Sequence, residues 1–175
     1  MRVFAAIEIP DGIKEGILEA SRYFALRDVT LVRKEALHIT LQFFGEIEDK
    51  DVAVIKSAMD SIKTGGFEVT VQGISYFKPE RIRVVYAGIT QGADKITGIH
   101  NRLAESMKIH DEERFLPHVT IARVRGMKDR RAFVELATEY EEHNFGTFAV
   151  DSLVLKKSTL TSGGPVYELL HESKL

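Results

Sequence analysis

Two short stretches put the same pair of side chains among apolar neighbours. In "LHITLQFFGEI" (37–47) His38 and Thr40 stand two apart, and in "LPHVTIARV" (116–124) His118 and Thr120 repeat the spacing. Alternate residues of a strand share a face, so each histidine points with its threonine. Leu37, Ile39 and Leu41, like Val119 and Ile121, then point the other way into a core. Imidazole ordinarily titrates near pH ~6.5, so two of them in one cleft can divide proton traffic, one accepting while the other donates. The hydroxyls, with an arginine nearby, suit an anion held between the histidines, and phosphate is the natural candidate. A single strand histidine is more often structural than catalytic; the doubling gives this one weight. The remaining histidines, His100, His110, His143 and His171, lack such company and read as structural.

Rival chemistries fare poorly. There is no HExxH, no His-x-His and no cysteine, and two histidines fall short of the three protein ligands a catalytic zinc usually has. No G-x-S-x-G nucleophile elbow occurs, and neither a P-loop nor a G-x-G-x-x-G is present.

The chain that must position these groups has 175 residues, 44% hydrophobic and 29% charged, the balance of a soluble globular protein. No apolar run approaches the roughly 18 residues of a membrane span. The start, "MRVFAAIEIPDGIKEG", is interrupted by Glu8 and reads as a first strand, not a signal peptide. The lack of cysteine suits a reducing compartment, so a cytoplasmic location is expected. A net charge of −2 gives no global field for nucleic acid. Basic residues cluster locally in "RVRGMKDRR" (123–131), directly after the second motif, and a solvated face is the plainer reading of that run.

Strands are expected over 2–9, 29–33, 37–44, 67–77, 82–90 and 117–124, with two more near 147–156 and 165–171. Helices are expected from Pro10 to Leu26, over 48–64 where acidic residues open the run and "GG" closes it, over 93–109 and near 128–140. Each His-x-Thr strand sits between helices, which makes an internal duplication plausible. No linker divides the chain, so residues 1–175 are expected to form one domain. Several strands are joined too tightly for crossovers, which favours α+β with antiparallel pairing over a parallel sheet.

"HITL" (38–41) and "HVTI" (118–121) resemble the paired H-x-T-x motifs of the two-histidine (2H) phosphoesterases. The likeness is greatest to the RNA 2′,3′-cyclic phosphodiesterases, long called 2′–5′ RNA ligases, with "MRVFAAIEIP" and "GPVYELL" as further landmarks. Gln42 and Phe44 stand where relatives often differ. The resemblance implies two pseudo-symmetric lobes, each an antiparallel sheet flanked by helices and contributing one motif to the cleft between them. It also implies metal-independent, cofactor-free hydrolysis of a terminal 2′,3′-cyclic phosphate to a 2′-phosphomonoester. His118 would be the general base and His38 the general acid, with Thr40, Thr120 and Arg123 on phosphate. Expected partners are RNA ends carrying the cyclic phosphate, tRNA fragments among them, with no membrane and a monomeric chain. The same residues would serve the reverse joining of RNA ends, and a non-catalytic RNA-end binder is the alternative of another class. One difficulty is parity: Arg123 is five residues from His118, so an ideal strand would turn it to the opposite face unless a bulge re-aims it.

Overall fold

The computed structural model describes residues 1–109, 114–126 and 130–175. His110, the start of the helix expected near 128, and the centre of the basic run lie outside the described residues.

Among the described residues thirteen principal elements follow in chain order: β1 (Arg2–Glu8), α1 (Asp11–Ser21), β2 (Val29–Leu31), β3 (His38–Glu46), α2 (Asp49–Ser61), β4 (Phe67–Tyr76), β5 (Val84–Ile89), α3 (Ala93–Ser106), β6 (His118–Val124), α4 (Arg130–Glu139), β7 (Asn144–Val150), β8 (Ser152–Thr161) and β9 (Gly164–Lys174). Local signals account for several of them. Pro10 precedes α1, which buries Ile13, Ile17 and Ala20 on one face. A capping box opens α2, the Glu48 N–H donating to Asp51 Oδ2 at 3.0 Å. Gly92, at φ 83°, turns the chain into α3, whose Ile96, Ile99 and Leu103 are buried.

Every strand pair is antiparallel, and the strands form one sheet in the order β7-β4-β5-β6-β3-β1-β8-β9, with β2 also on β6. The α+β antiparallel architecture is therefore as the sequence implies. The two halves, β8, β9, β1 and β3 on one side and β2, β4–β7 on the other, meet at the β3–β6 seam. One expectation needs correction: residues 147–156 are not one strand. The chain breaks at Asp151, so that β7 pairs with β4 in one half while β8 pairs with β1 in the other. Apolar residues continue through Phe148, Val150 and Leu153 without a glycine or proline to mark the change of half-sheet.

Two of the helices cross between halves. α1, which follows β1, packs against β6 and β7, and α3, which follows β5, packs against β3. One contiguous buried cluster, from Val3 through Ile39 and Val119 to Leu155, lies under both halves. On the opposite face of the β1–β8 half lies a smaller cluster of Phe4, Ala6 and Val154, packed by Tyr167. No helix among the described residues is long and apolar enough to cross a membrane.

Candidate active site

β3 and β6 meet at their first residues, with Ile39 opposite Val119. Continuing that antiparallel register by one residue in each direction sets His38 opposite Thr120 and Thr40 opposite His118. Ile39 and Val119 are fully buried, so the four polar side chains share the other face. The two motifs come together, related by an approximate twofold axis through the seam.

Both motif strands then bulge at the same place. Against β1, Ala6 faces Thr40 and Ala5 faces Gln42, leaving Leu41 as an extra residue; against β5, Tyr86 faces Thr120 and Val85 faces Ala122, leaving Ile121 extra. Burial follows the shift, for Leu41–Gln42 and Ile121–Ala122 are consecutive buried pairs, followed by an exposed residue, Phe43 or Arg123. The bulge thus resolves the parity problem and returns Arg123 to the face of His118. Its positive charge acts on both the His118 imidazole and the Tyr167 hydroxyl. At the symmetric position Phe43 is 57% exposed, with its ring 5.6 Å from that of Phe4. Each extra carbonyl finds a donor outside its strand pair: Ile121 O accepts the Val32 N–H at 2.9 Å, and Leu41 O accepts His100 Nδ1–H at 2.7 Å.

Aromatic rings enclose the histidines. His38 stacks on Phe4 at 4.9 Å and meets the edge of Tyr167 at 5.5 Å. His118 meets Phe77 at 5.0 Å and Tyr86 at 5.3 Å. His118 Nδ1–H donates to the Leu116 carbonyl at 2.7 Å, which fixes the tautomer and leaves Nε2 with a lone pair. His38 is the counterpart at the same offset. The Ala36 carbonyl lies close enough to favour its charged form, yet its buried Nδ1 completes no hydrogen bond.

Charge is arranged unequally around the pair. Glu8, opposite His38 on β1, forms ion pairs with Lys156 and, at 3.4 Å, with Lys14. Burial above all, with the Lys156 and Lys14 charges, pushes His38 down to about 4, Glu8 opposing. His118 also lies below the ordinary imidazole value, chiefly through burial and further through Arg123, with the Leu116 carbonyl opposing. Near neutral pH both imidazoles are uncharged, and an anion seated between them would draw a proton back.

Phe4, Phe77, Tyr86, Tyr167, Glu8, Lys14 and Lys156 were not singled out from sequence. Alternation along β1 could have found Phe4 and Glu8, which share the face opposite Val3, Ala5 and Ile7. The others depend on pairing between distant strands. Of the residues set aside as structural, His143 packs between Tyr140 and Phe145, and His171 Nε2 is 2.8 Å from Asp60 Oδ1. Within the basic run, Arg131 is exposed and donates to Glu135 at 2.8 Å. A cavity of about 330 Å³ is lined by Tyr86, whose ring meets that of His118, and by Gly88, Leu116, Pro117, Gln72 and Glu141 among others. Among the described residues no three His, Cys, Asp or Glu side chains gather as a metal site would require.

Known proteins share both sequence and fold with this chain. The sequence model of the 2′-5′ RNA ligase superfamily matches residues 10–159. The RNA 2′,3′-cyclic phosphodiesterase of Methanocaldococcus jannaschii is 32% identical, over 98% of this chain and 99% of its own. That of Aeropyrum pernix is 37% identical, over 82% and 84%. The crystal structure of TT0787 of Thermus thermophilus superposes with a TM-score of 0.83 at 25% identity, covering 100% and 98% of the two chains. Escherichia coli LigT shares the fold, with a TM-score of 0.80 at 24% identity over 99% and 97%. The chain belongs to the 2′-5′ RNA ligase superfamily, as an enzyme of the RNA 2′,3′-cyclic phosphodiesterase type.

Proposed function

We propose that this chain opens the terminal 2′,3′-cyclic phosphate of RNA with His118 as base and His38 as acid, acting as a monomer in the cytoplasm with tRNA fragments among its substrates. His118 Nε2 takes a proton from water as the water oxygen bonds to phosphorus. The P–O3′ bond breaks in line, and O3′ receives its proton from His38. The products are a 2′-phosphomonoester and a free 3′-hydroxyl, and neither step asks for a metal or a cofactor. Thr40 and Thr120 donate hydroxyls to the non-bridging oxygens, and Arg123 adds a charged donor. The ribose lies on the His38 side, where exposed Phe43 offers a face on which a base can stack.

The observation that carries this reading is the seam, which sets each histidine opposite the other motif's threonine on one face. The downward push on both imidazoles fits it, since the phosphodiester anion itself would supply the field that protonates His38 on binding. The cavity lined by Tyr86, whose ring meets that of His118, favours a second reading. A nucleoside 5′-hydroxyl could take the place of water there and yield a 2′–5′ linkage.

Turnover of a 2′,3′-cyclic nucleotide should persist in excess EDTA. It should fall by about 10²–10⁴-fold in each of His38→Ala and His118→Ala, with the fold retained. A non-catalytic RNA-end binder would show no turnover at all, and a metal enzyme would stop in EDTA. Near-wild-type rates in either alanine variant would refute the two-histidine mechanism.

A further inference from the structure

His100 is a buried polar ring that the proposed chemistry does not use. It lies on α3, 6% exposed, beneath β3. Its Nδ1–H donates to the Leu41 carbonyl at 2.7 Å, and its ring lies flat on Phe115, centroids 3.8 Å apart and planes 5° apart. Leu41 is the residue that the bulge adds to β3, directly after Thr40 and two before the exposed Phe43. Phe115 immediately precedes Leu116, whose carbonyl holds Nδ1 of His118. One side chain therefore touches the conformation of the first motif and the approach to the second.

The two halves of the sheet solve the same problem by different means. At the β6 bulge the extra carbonyl, that of Ile121, is held by backbone, the N–H of Val32 just beyond β2. Beside the β3 bulge the neighbouring strands are β1 and β6, and the corresponding donor is the imidazole of His100. A bulge held by one side chain is a point where one substitution can relax the strand and let Thr40 and Phe43 drift.

We infer that His100 is a positioning residue for both motifs: its hydrogen bond to Leu41 fixes the bulge that aims Phe43 and seats Thr40, and its stack on Phe115 fixes the Leu116 carbonyl that orients His118. This rests on the reaction proposed above. The two contacts separate by substitution. His100→Phe keeps a flat ring on Phe115 and removes the donor. His100→Asn keeps an amide donor near the Nδ1 position and removes the ring.

The test compares a 2′,3′-cyclic nucleotide with a base-free cyclic phosphodiester, glycerol 1,2-cyclic phosphate, over a range of pH. His100→Phe should raise KM for the nucleotide by about two- to tenfold, the worth of one hydrogen bond. It should also narrow the preference for the nucleotide over the base-free ester, because Phe43 is no longer held. His100→Asn should keep that preference but lower kcat about tenfold, since small misplacements of a catalytic group cost heavily. Its kcat/KM limb belonging to His118 should move to lower pH as the Leu116 carbonyl loosens. Phe115→Leu, which leaves His100 intact, should reproduce that second pattern even if a His100 variant fails to fold. Wild-type kcat, KM and pH limbs in His100→Phe and Phe115→Leu, with only a lowered Tm, would overturn the inference and leave His100 a packing residue. If the wild type turned over neither ester, the reaction would be wrong. The brace would then be judged by imidazole NMR of His118, whose Nδ1–H should lose its protection from exchange in Phe115→Leu, and unchanged protection would overturn it.

Discussion

Replacing Lys156 with methionine removes one of the charges that keep His38 neutral while preserving an apolar stem beside Tyr167. His38 lies near 4 against an ordinary 6.5, an opposition to protonation of roughly 3 kcal/mol at about 1.4 kcal/mol per pH unit. Burial is the largest cause and survives the substitution; the Lys156 charge comes next. Its removal should therefore raise His38 by about one unit, at the low end of what a close charge does. Glu8 favours the protonated imidazole, so Glu8→Gln should move His38 the other way although it breaks the same ion pair. Two assays read this out: NMR titration of the His38 ring, and the acid limb of kcat/KM on a cyclic nucleotide. The sign for stability follows from proton counting. Between pH 4 and 6.5 the unfolded chain binds a proton at this position that the folded chain does not. Stability is therefore present above 6.5 and is lost as pH falls toward 4. Urea unfolding should show a shallower acid loss from this residue in Lys156→Met than in wild type. Shifts in the same direction for both variants, or a wild-type His38 that titrates near its ordinary value, would refute the electrostatic account.

The threonines test phosphate binding, because Thr40→Val or Thr120→Val keeps a β-branched strand residue and deletes one donor. Each should lower kcat/KM by about ten- to a hundred-fold, for a lost hydrogen bond of roughly 1.5–3 kcal/mol to a charged group, with Tm unchanged. Unimpaired turnover in both would leave them merely good strand formers. Arg123→Met should cost a similar factor and, by removing a charge that depresses His118, shift that residue's limb of kcat/KM to higher pH; an unmoved limb would place Arg123 away from the cleft. Gly73 sits at φ 77° with any Cβ only 2.4 Å from the Glu141 carbonyl oxygen. Gly73→Ala should therefore lower unfolding free energy by about 2 kcal/mol or more in urea titration, and an unchanged midpoint would contradict that geometry.

What could be read in advance was local. The two-residue spacing of His38 with Thr40 and of His118 with Thr120 needs only the pleat of a strand, and the helix faces need only their turn. The cleft position of Arg123 was out of reach because "TIAR" carries no glycine or proline to announce a bulge. The shift is set by which residues of β5 stand opposite, as that of "TLQF" is set by β1. The charge beside His38 was hidden for a similar reason. Lys156 reaches Glu8 only because β8 pairs with β1, and the break at Asp151 that separates β7 from β8 was itself missed. The approach of Tyr167 depends in turn on the register of β9.

The exchange of helices between the half-sheets governs what becomes of a severed chain. A cut in the connection between α2 and β4 would send α1, made to lie under β6 and β7, away with the first fragment. It would leave α3, which covers β3, with the second. The first fragment would carry the cover of the second's β6 and β7, and the second, although it keeps α4 on β4, would carry the cover of the first's β3. Neither should hold structure alone, yet mixed together they have complementary surfaces and should reassemble noncovalently into an active pair. The intact polypeptide should accordingly gain its order late and all at once. Its decisive contacts join distant parts of the sequence, the circumstance in which chains fold slowly.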